Sequence, residues 1–331
     1  MFNNRTKNQH YISQVEQKLN SINPEVDRSK RKIFEYEIVD RELDIYQKTK
    51  LTGVKIEQNL SFNDLYTFDI LNDQTRSNFE EFFCKYENKV EILTRNLIEK
   101  SVNNHPITED EIFNLITCKF LNFIRNPFSI KKIINTFSQS LNYHPQEHFL
   151  AQEFKKINKT NILISQKHLD YLKISIDDYI NWLKIIFISL SVEMEGESLT
   201  EKLIKATFDK KNRIILMRLN IYDSEICLLS DRGYVDQSQL FKDSFCMSFN
   251  LTKNAFITII TMDNSISSLR NANLGLNEYL DMLEARGLTK MEIDRINLHV
   301  IKNDIKILQA YNSNVRFQCS KNFYSSRDSF L

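Results

Sequence analysis

SFCMSFNLTKNAFITIITM, from Ser244 to Met262, holds two runs of β-branched and aromatic residues around a short polar interruption. Such runs favour extended chain. Ser244–Leu251 and Ala255–Met262 therefore read as strands, and Thr252-Lys253-Asn254 as the hairpin loop between them. Arg213–Ile221 and Glu225–Leu229 are candidate strands just upstream, and Val315–Cys319 reads as a final short one. Near the other end, Lys32–Val39 (KIFEYEIV) alternates with the two-residue period of a strand, and Val54–Ile56 reads as a further extended piece.

Between these strand-rich parts, at about 30–60 and 213–262, the period changes. Phe79, Phe82, Phe83, Tyr86, Val90, Leu93 and Leu97 fall at spacings of three and four, which predicts an amphipathic helix from about Gln74 to Lys100. Thr108, with Glu111 three residues on, is a capping box opening a second helix. That helix is expected to stop at Asn126-Pro127, because proline disfavours helix in the residue before it. Ile130–Leu141, Ile176–Ser191 with the single tryptophan Trp182, and Thr200–Phe208 complete a helical block over about 75–208. Asn277–Glu284 and Thr289–Tyr311 read as C-terminal helices. The expected fold is α+β, one domain over 1–331. A mixed, mainly antiparallel sheet is built from N- and C-terminal strands, with the central helical block covering it.

Composition narrows the function classes. The 331 residues are 42% hydrophobic and 26% charged, a globular balance with enough chain for a sizeable core. A net charge of +1 gives no global pull toward nucleic acid or membrane, leaving only a local basic groove as a route to nucleic acid. The five cysteines are dispersed and form no C-x-x-C pair, so reduced thiols are expected. MFNNRTKNQHY has no apolar run after its basic residues, and the longest apolar run, near Ile185–Leu190, falls far short of the ~20 residues that span a bilayer. A cytoplasmic location with no membrane partner is the expectation. With only five glycines, there is no phosphate loop, dinucleotide fingerprint, H-E-x-x-H or G-x-S-x-G, and no Cys/His spacing suits zinc.

Polar residues in unusual places remain. His10 sits among amides in Asn8-Gln9-His10-Tyr11-Ile12-Ser13-Gln14, able to move a proton or to satisfy a buried carbonyl. Glu87 borders the apolar stripe of its helix, where a carboxylate is either solvated or aimed at a buried partner. Asp231 follows the apolar run Ile226–Leu229, a place for a catalytic or metal-binding acid and equally for a turn former. Arg125 could clamp an anion or meet a helix C-terminus. Glu193, Glu195 and Glu197 read as a solvated loop, with a metal site as the second reading.

In their order and spacing, these residues resemble the bacterial domain-of-unknown-function family 4238. Gln9-His10-Tyr11-Ile12-Ser13-Gln14 stands where that family has His-aromatic-x-Pro-Gln, with Ser13 in place of proline. Asp64-Leu65-Tyr66, the glutamates of Phe79–Glu87, Arg125-Asn126-Pro127, Leu228-Leu229-Ser230-Asp231 and a late Asn303 follow in family order. Arg232-Gly233 replaces the usual Asn-Pro, and Val15–Asn20 lacks the family's Tyr-Leu-x-x-Phe.

The resemblance implies cargo of bacterial mobile and defence regions, hence a toxin-like anti-phage effector, and brings no known reaction; the first reading of the residues themselves is a nuclease-like hydrolase acting on nucleic acid. On that scheme His10 is the general acid or base, and Asp231 and Glu87 hold a divalent ion such as Mg or orient a water. Gln14, Arg125 and Asn303 bind substrate. The other reading is a non-catalytic sensor or scaffold subunit of a defence complex, partnered by another defence protein or a second copy of the chain. There the same residues form a buried network that fixes the fold.

Overall fold

The computed structural model describes residues 2–72, 75–159, 164–240, 244–271, 277–291 and 296–330. The chain opens with β1 (Asn3–Asn4), β2 (Asn8–His10) and the short helix α1 (Gln14–Leu19), whose N-cap Ser13 accepts the Glu16 N–H. Next come β3 (Lys32–Asp40), β4 (Ile45–Lys48), β5 (Val54–Lys55), β6 (Ser61–Asn63), β7 (Asp69–Asn72) and β8 (Thr75–Ser77). The expected helix from Gln74 begins later, as α2 (Glu80–Val102), because Thr75–Ser77 pairs with β1 and β7.

Helix α3 (Glu109–Arg125) starts on the Thr108/Glu111 capping box and ends at Asn126-Pro127, as its sequence predicts. Ile130–Leu141 divides into α4 (Ile130–Thr136) and a 3-10 segment, Ser138–Asn142. There follow α5 (His148–Ile157), α6 (Gln166–Leu172) and α7 (Ile176–Ser191), then β9 (Glu193–Met194), β10 (Glu197–Ser198) and α8 (Leu199–Thr207). The acidic Glu193–Glu197 stretch is thus a tight hairpin, with left-handed Glu195 and Gly196 at its turn. α7 is apolar around most of its circumference: Tyr179, Trp182, Leu183, Ile186 and Phe187 are all fully buried, as befits a helix at the centre of a core.

The last part runs β11 (Arg213–Ile221), β12 (Leu229–Ser230), β13 (Val235–Asp236), β14 (Ser244–Thr252), β15 (Ala255–Asp263), α9 (Ile266–Asn271), α10 (Asn277–Ala285), β16 (Asn297–Lys302), α11 (Ile305–Gln318) and β17 (Asn322–Ser325). Three readings of this region are corrected. Within Thr289–Tyr311, expected as one helix, Asn297–Lys302 is a strand lying parallel to β11, and 292–295 fall outside the described residues. Val315–Cys319, expected as a strand, is the last turn of α11 with its C-cap, Cys319. Leu308, Tyr311, Asn312 and Val315 form its buried face, and Asp304 caps its start. Of Glu225–Leu229, only Leu229 is in a strand.

The fold is α+β, with several mainly antiparallel sheets. The strands do not share one large sheet. β13-β14-β15-β11-β16 form a five-stranded sheet from the C-terminal part alone, antiparallel except for β11/β16. The N- and C-terminal parts meet in a second sheet, β12-β17-β3-β4, in which Phe323 lies opposite Tyr36. The first sheet is covered on both faces. Met217, Leu219, Phe249 and Ile257 join the main core with the helical block. On the outer face, Ile214, Cys246, Ile260 and Met262 pack with α9 and α10, and Phe256 packs with α11. Among the described residues no helix is long and apolar enough to cross a membrane.

Candidate functional site

β2 pairs with β6 so that His10 lies opposite Ser61, at the entrance to α1. Its Nδ1 is 2.9 Å from the Asn59 carbonyl oxygen. An acceptor there requires the proton on Nδ1, which leaves Nε2 to accept from the Gln14 amide at 2.8 Å. Gln14 in turn accepts from Arg28 Nε at 2.7 Å. Burial lowers the His10 pKa to about 4; the Asn59 carbonyl opposes this, and the charges of Arg125 and Arg28 add to it. The imidazole is therefore neutral at pH 7, and one of its nitrogens serves a backbone carbonyl.

Behind His10 lies a chain of buried charges. Lys119, Asn122 and Arg125 recur every three residues along α3 and so share a face. Lys119 pairs with the buried Glu16 of α1, and Asn122 Nδ2 donates to the same carboxylate at 2.7 Å. Burial pushes the Glu16 carboxyl up, but Lys119 and Asn122 outweigh it and hold the pKa below the usual value. Arg125 is 1% exposed. One of its terminal nitrogens pairs with Glu87 and the other donates to Asn122 Oδ1 at 3.1 Å, while the guanidinium lies 5.2 Å from the centre of the Phe83 ring. Its own carbonyl accepts the Tyr66 hydroxyl at 2.8 Å. Glu80 lies two turns before Glu87 on α2; burial, reinforced by Glu87 and opposed by Arg125, raises its pKa to about 7.

Asp231 closes the other side. Its carboxylate accepts three backbone N–H bonds, from Ser320 (2.7 Å), Lys321 (2.7 Å) and Asn322 (3.0 Å), fastening the turn between α11 and β17. Asn126, beside Arg125, donates to the Asp231 carbonyl at 2.9 Å. The turn continues through Gly233 at φ +76, where a Cβ would stand 2.6 Å from Ile12 Cδ1 and 3.2 Å from Asn122 Cβ. Gly233→Ala is therefore expected to cost about 1–3 kcal/mol, from the left-handed backbone and the overpacking together, read as a lower urea midpoint at unchanged m-value.

The candidates thus fall into four groups. His10 with Gln14, Glu87 with Arg125, and Asp231 all border the junction of α1, α3 and the Asp231 turn, where Arg125 acts electrostatically on His10 and Asp231 on Tyr11. Asn303 lies apart, on a left-handed turn after β16, its side chain bonded to Asp223. Glu87 and Asp231 do not fit one shared divalent ion, since Arg125 takes the first and three amides take the second. Among the described residues no group of three or more His, Cys, Asp or Glu is placed to hold a metal. The sequence reading missed Glu16, Lys119 and Asn122. Its available signal was the three-residue polar spacing inside the apolar α3.

A separate cavity of about 510 Å³ lies between α3, α4, α8 and β14. Six phenylalanines line it: Phe120, Phe123, Phe137, Phe208, Phe245 and Phe249. The Lys132–Asp236 ion pair forms its polar edge. Comparisons of the chain with family models, curated proteins and solved structures return no match.

Proposed function

We propose that the chain is a non-catalytic, ligand-binding module of the sensor or scaffold type, acting in bacterial anti-phage defence. The carrying observation is that the polar set has already spent its chemistry within the fold. The buried Asp231 carboxylate accepts three backbone amides, Glu87 is paired with Arg125, and Arg125 is sealed from solvent. A largely paired network of this kind, with Arg125 Nε buried and unpartnered among the described residues, specifies a fold and leaves little to offer a substrate. The receptor space is the phenylalanine-lined cavity, whose volume falls within the ~300–1,000 Å³ of small-molecule sites. Its occupant is an apolar, aromatic molecule that excludes water from the six rings. The defence setting rests on the family resemblance.

The test pairs a phage-plating assay with direct binding. Folded His10→Ala protein is expected to keep the plating phenotype, and purified wild type to leave DNA and RNA intact in the presence of Mg²⁺. The protein is also expected to take up an apolar fluorescent dye, and Leu203→Trp, which fills the cavity from α8, to reduce that uptake tenfold or more. Cleavage of nucleic acid by wild type, lost in folded His10→Ala, would overturn this reading in favour of the nuclease-like one.

A further inference from the structure

We propose that the outer face of the C-terminal sheet carries a second, polar site for a small carboxylate bearing an N–H donor, the chemistry of an amino acid. The site is independent of the apolar cavity, which lies on the opposite face. Strand alternation turns Met217 and Leu219 toward the helical block, and so sends Arg218 and Asn220 outward. Register then aligns four strands. His299 of β16, Arg218 of β11, Thr258 of β15 and Ser248 of β14 are successive partners and form one polar rung across the sheet. α11 covers the sheet on one side of this rung and α9 with α10 on the other. Beside α11, which contributes Ile307, Ala310 and Tyr311, is a pocket of about 200 Å³.

Three features give the pocket its chemistry. The guanidinium of Arg218 is exposed and has no ion-pair partner among the described residues. Asn220 is 1% exposed, yet its Oδ1 is buried without a hydrogen-bond partner, and its Nδ2 makes only a long 3.4 Å bond to the Arg218 carbonyl. A buried amide oxygen left unpaired carries a desolvation penalty that a ligand donor would recover. The third feature is an aromatic wall, Phe256 stacked on Tyr311 with ring centres 3.9 Å apart.

Arg218 therefore offers a forked donor for a carboxylate, Asn220 an acceptor for N–H, and the rings a flat apolar flank. The hydroxyls of Ser248 and Thr258 bond each other at 2.7 Å and complete the polar floor. The volume is below that of drug-sized sites, which limits the ligand to about the size of an amino acid.

Titration calorimetry on the full chain tests this, with the common amino acids as probes and acetate and inorganic phosphate as bare-anion controls. At least one amino acid is expected to bind, and its carboxamide derivative to lose tenfold or more. Arg218→Met, at an exposed position where the fold is preserved, is expected to weaken binding at least tenfold; Asn220→Leu is expected to do the same for the amino acid. Failure of every amino acid to bind, or binding undiminished in Arg218→Met, overturns the proposal. Equally tight binding of phosphate alone overturns it too, reducing the site to a bare anion contact.

Discussion

Lys119→Ala is expected to lower stability by about 3–5 kcal/mol, the usual cost of breaking a buried ion pair from one side. Lys119 and Glu16 are 1% and 4% exposed, and removing the ammonium leaves the carboxylate in the core with only Asn122 and Ser13 as donors. The cost lies in desolvation of the stranded charge rather than in the worth of the pair. Replacing both partners, Lys119→Met with Glu16→Leu, is therefore expected to recover most of the loss. Urea denaturation of the two single variants and the double variant checks this. If the double variant is as unstable as the sum of the singles, the pair is not behaving as a coupled buried unit.

The pH dependence provides the second large effect, because two groups at the same junction act in opposite directions. His10 is depressed from 6.5 to about 4, so between those values the unfolded chain binds the extra proton. Its contribution is present above pH 6.5 and is lost as pH falls toward 4, amounting to about 3 kcal/mol. Glu80 is raised from 4.5 to about 7, so there the folded chain holds the extra proton. Its contribution is present below pH 4.5 and is lost as pH rises through 7, again by about 3 kcal/mol. Across pH 4.5 to 6.5 the two slopes largely cancel.

Glu80→Gln is expected to expose the His10 slope, so that stability rises with pH more steeply than in wild type. His10→Asn is expected to expose the Glu80 slope and give a steeper fall. Denaturation midpoints at several pH values in this window measure both. Parallel curves for wild type and both variants would show that neither group titrates with its shifted pKa.

Much of the local structure was legible because its cause is local. The Thr108/Glu111 box and Asn126-Pro127 bound α3, the apolar run marks α7, and the candidate strand Arg213–Ile221 is β11 at its observed limits. Legibility failed where a distant partner decides. Asn297–Lys302 is a strand because β11 offers it an edge, and Val315 is helical because its apolar side closes over β12 and β17. β17 itself is held by pairing to β3, almost a whole chain length away.

The candidate residues divide in the same way. Sequence alone picked out His10, Gln14, Glu87, Arg125 and Asp231 as polar residues out of place, and the α+β class through the switch from a two-residue to a 3.6-residue period. Tertiary structure decided what those polar residues face: a carbonyl for His10, a carboxylate for Arg125, three amides for Asp231. It also brought Arg218 and Asn220 to one pocket with Phe256 and Tyr311, which no spacing announces. The reason is physical. Periodicity records which side of an element is apolar, whereas the partner of a buried charge is set by how separate elements pack.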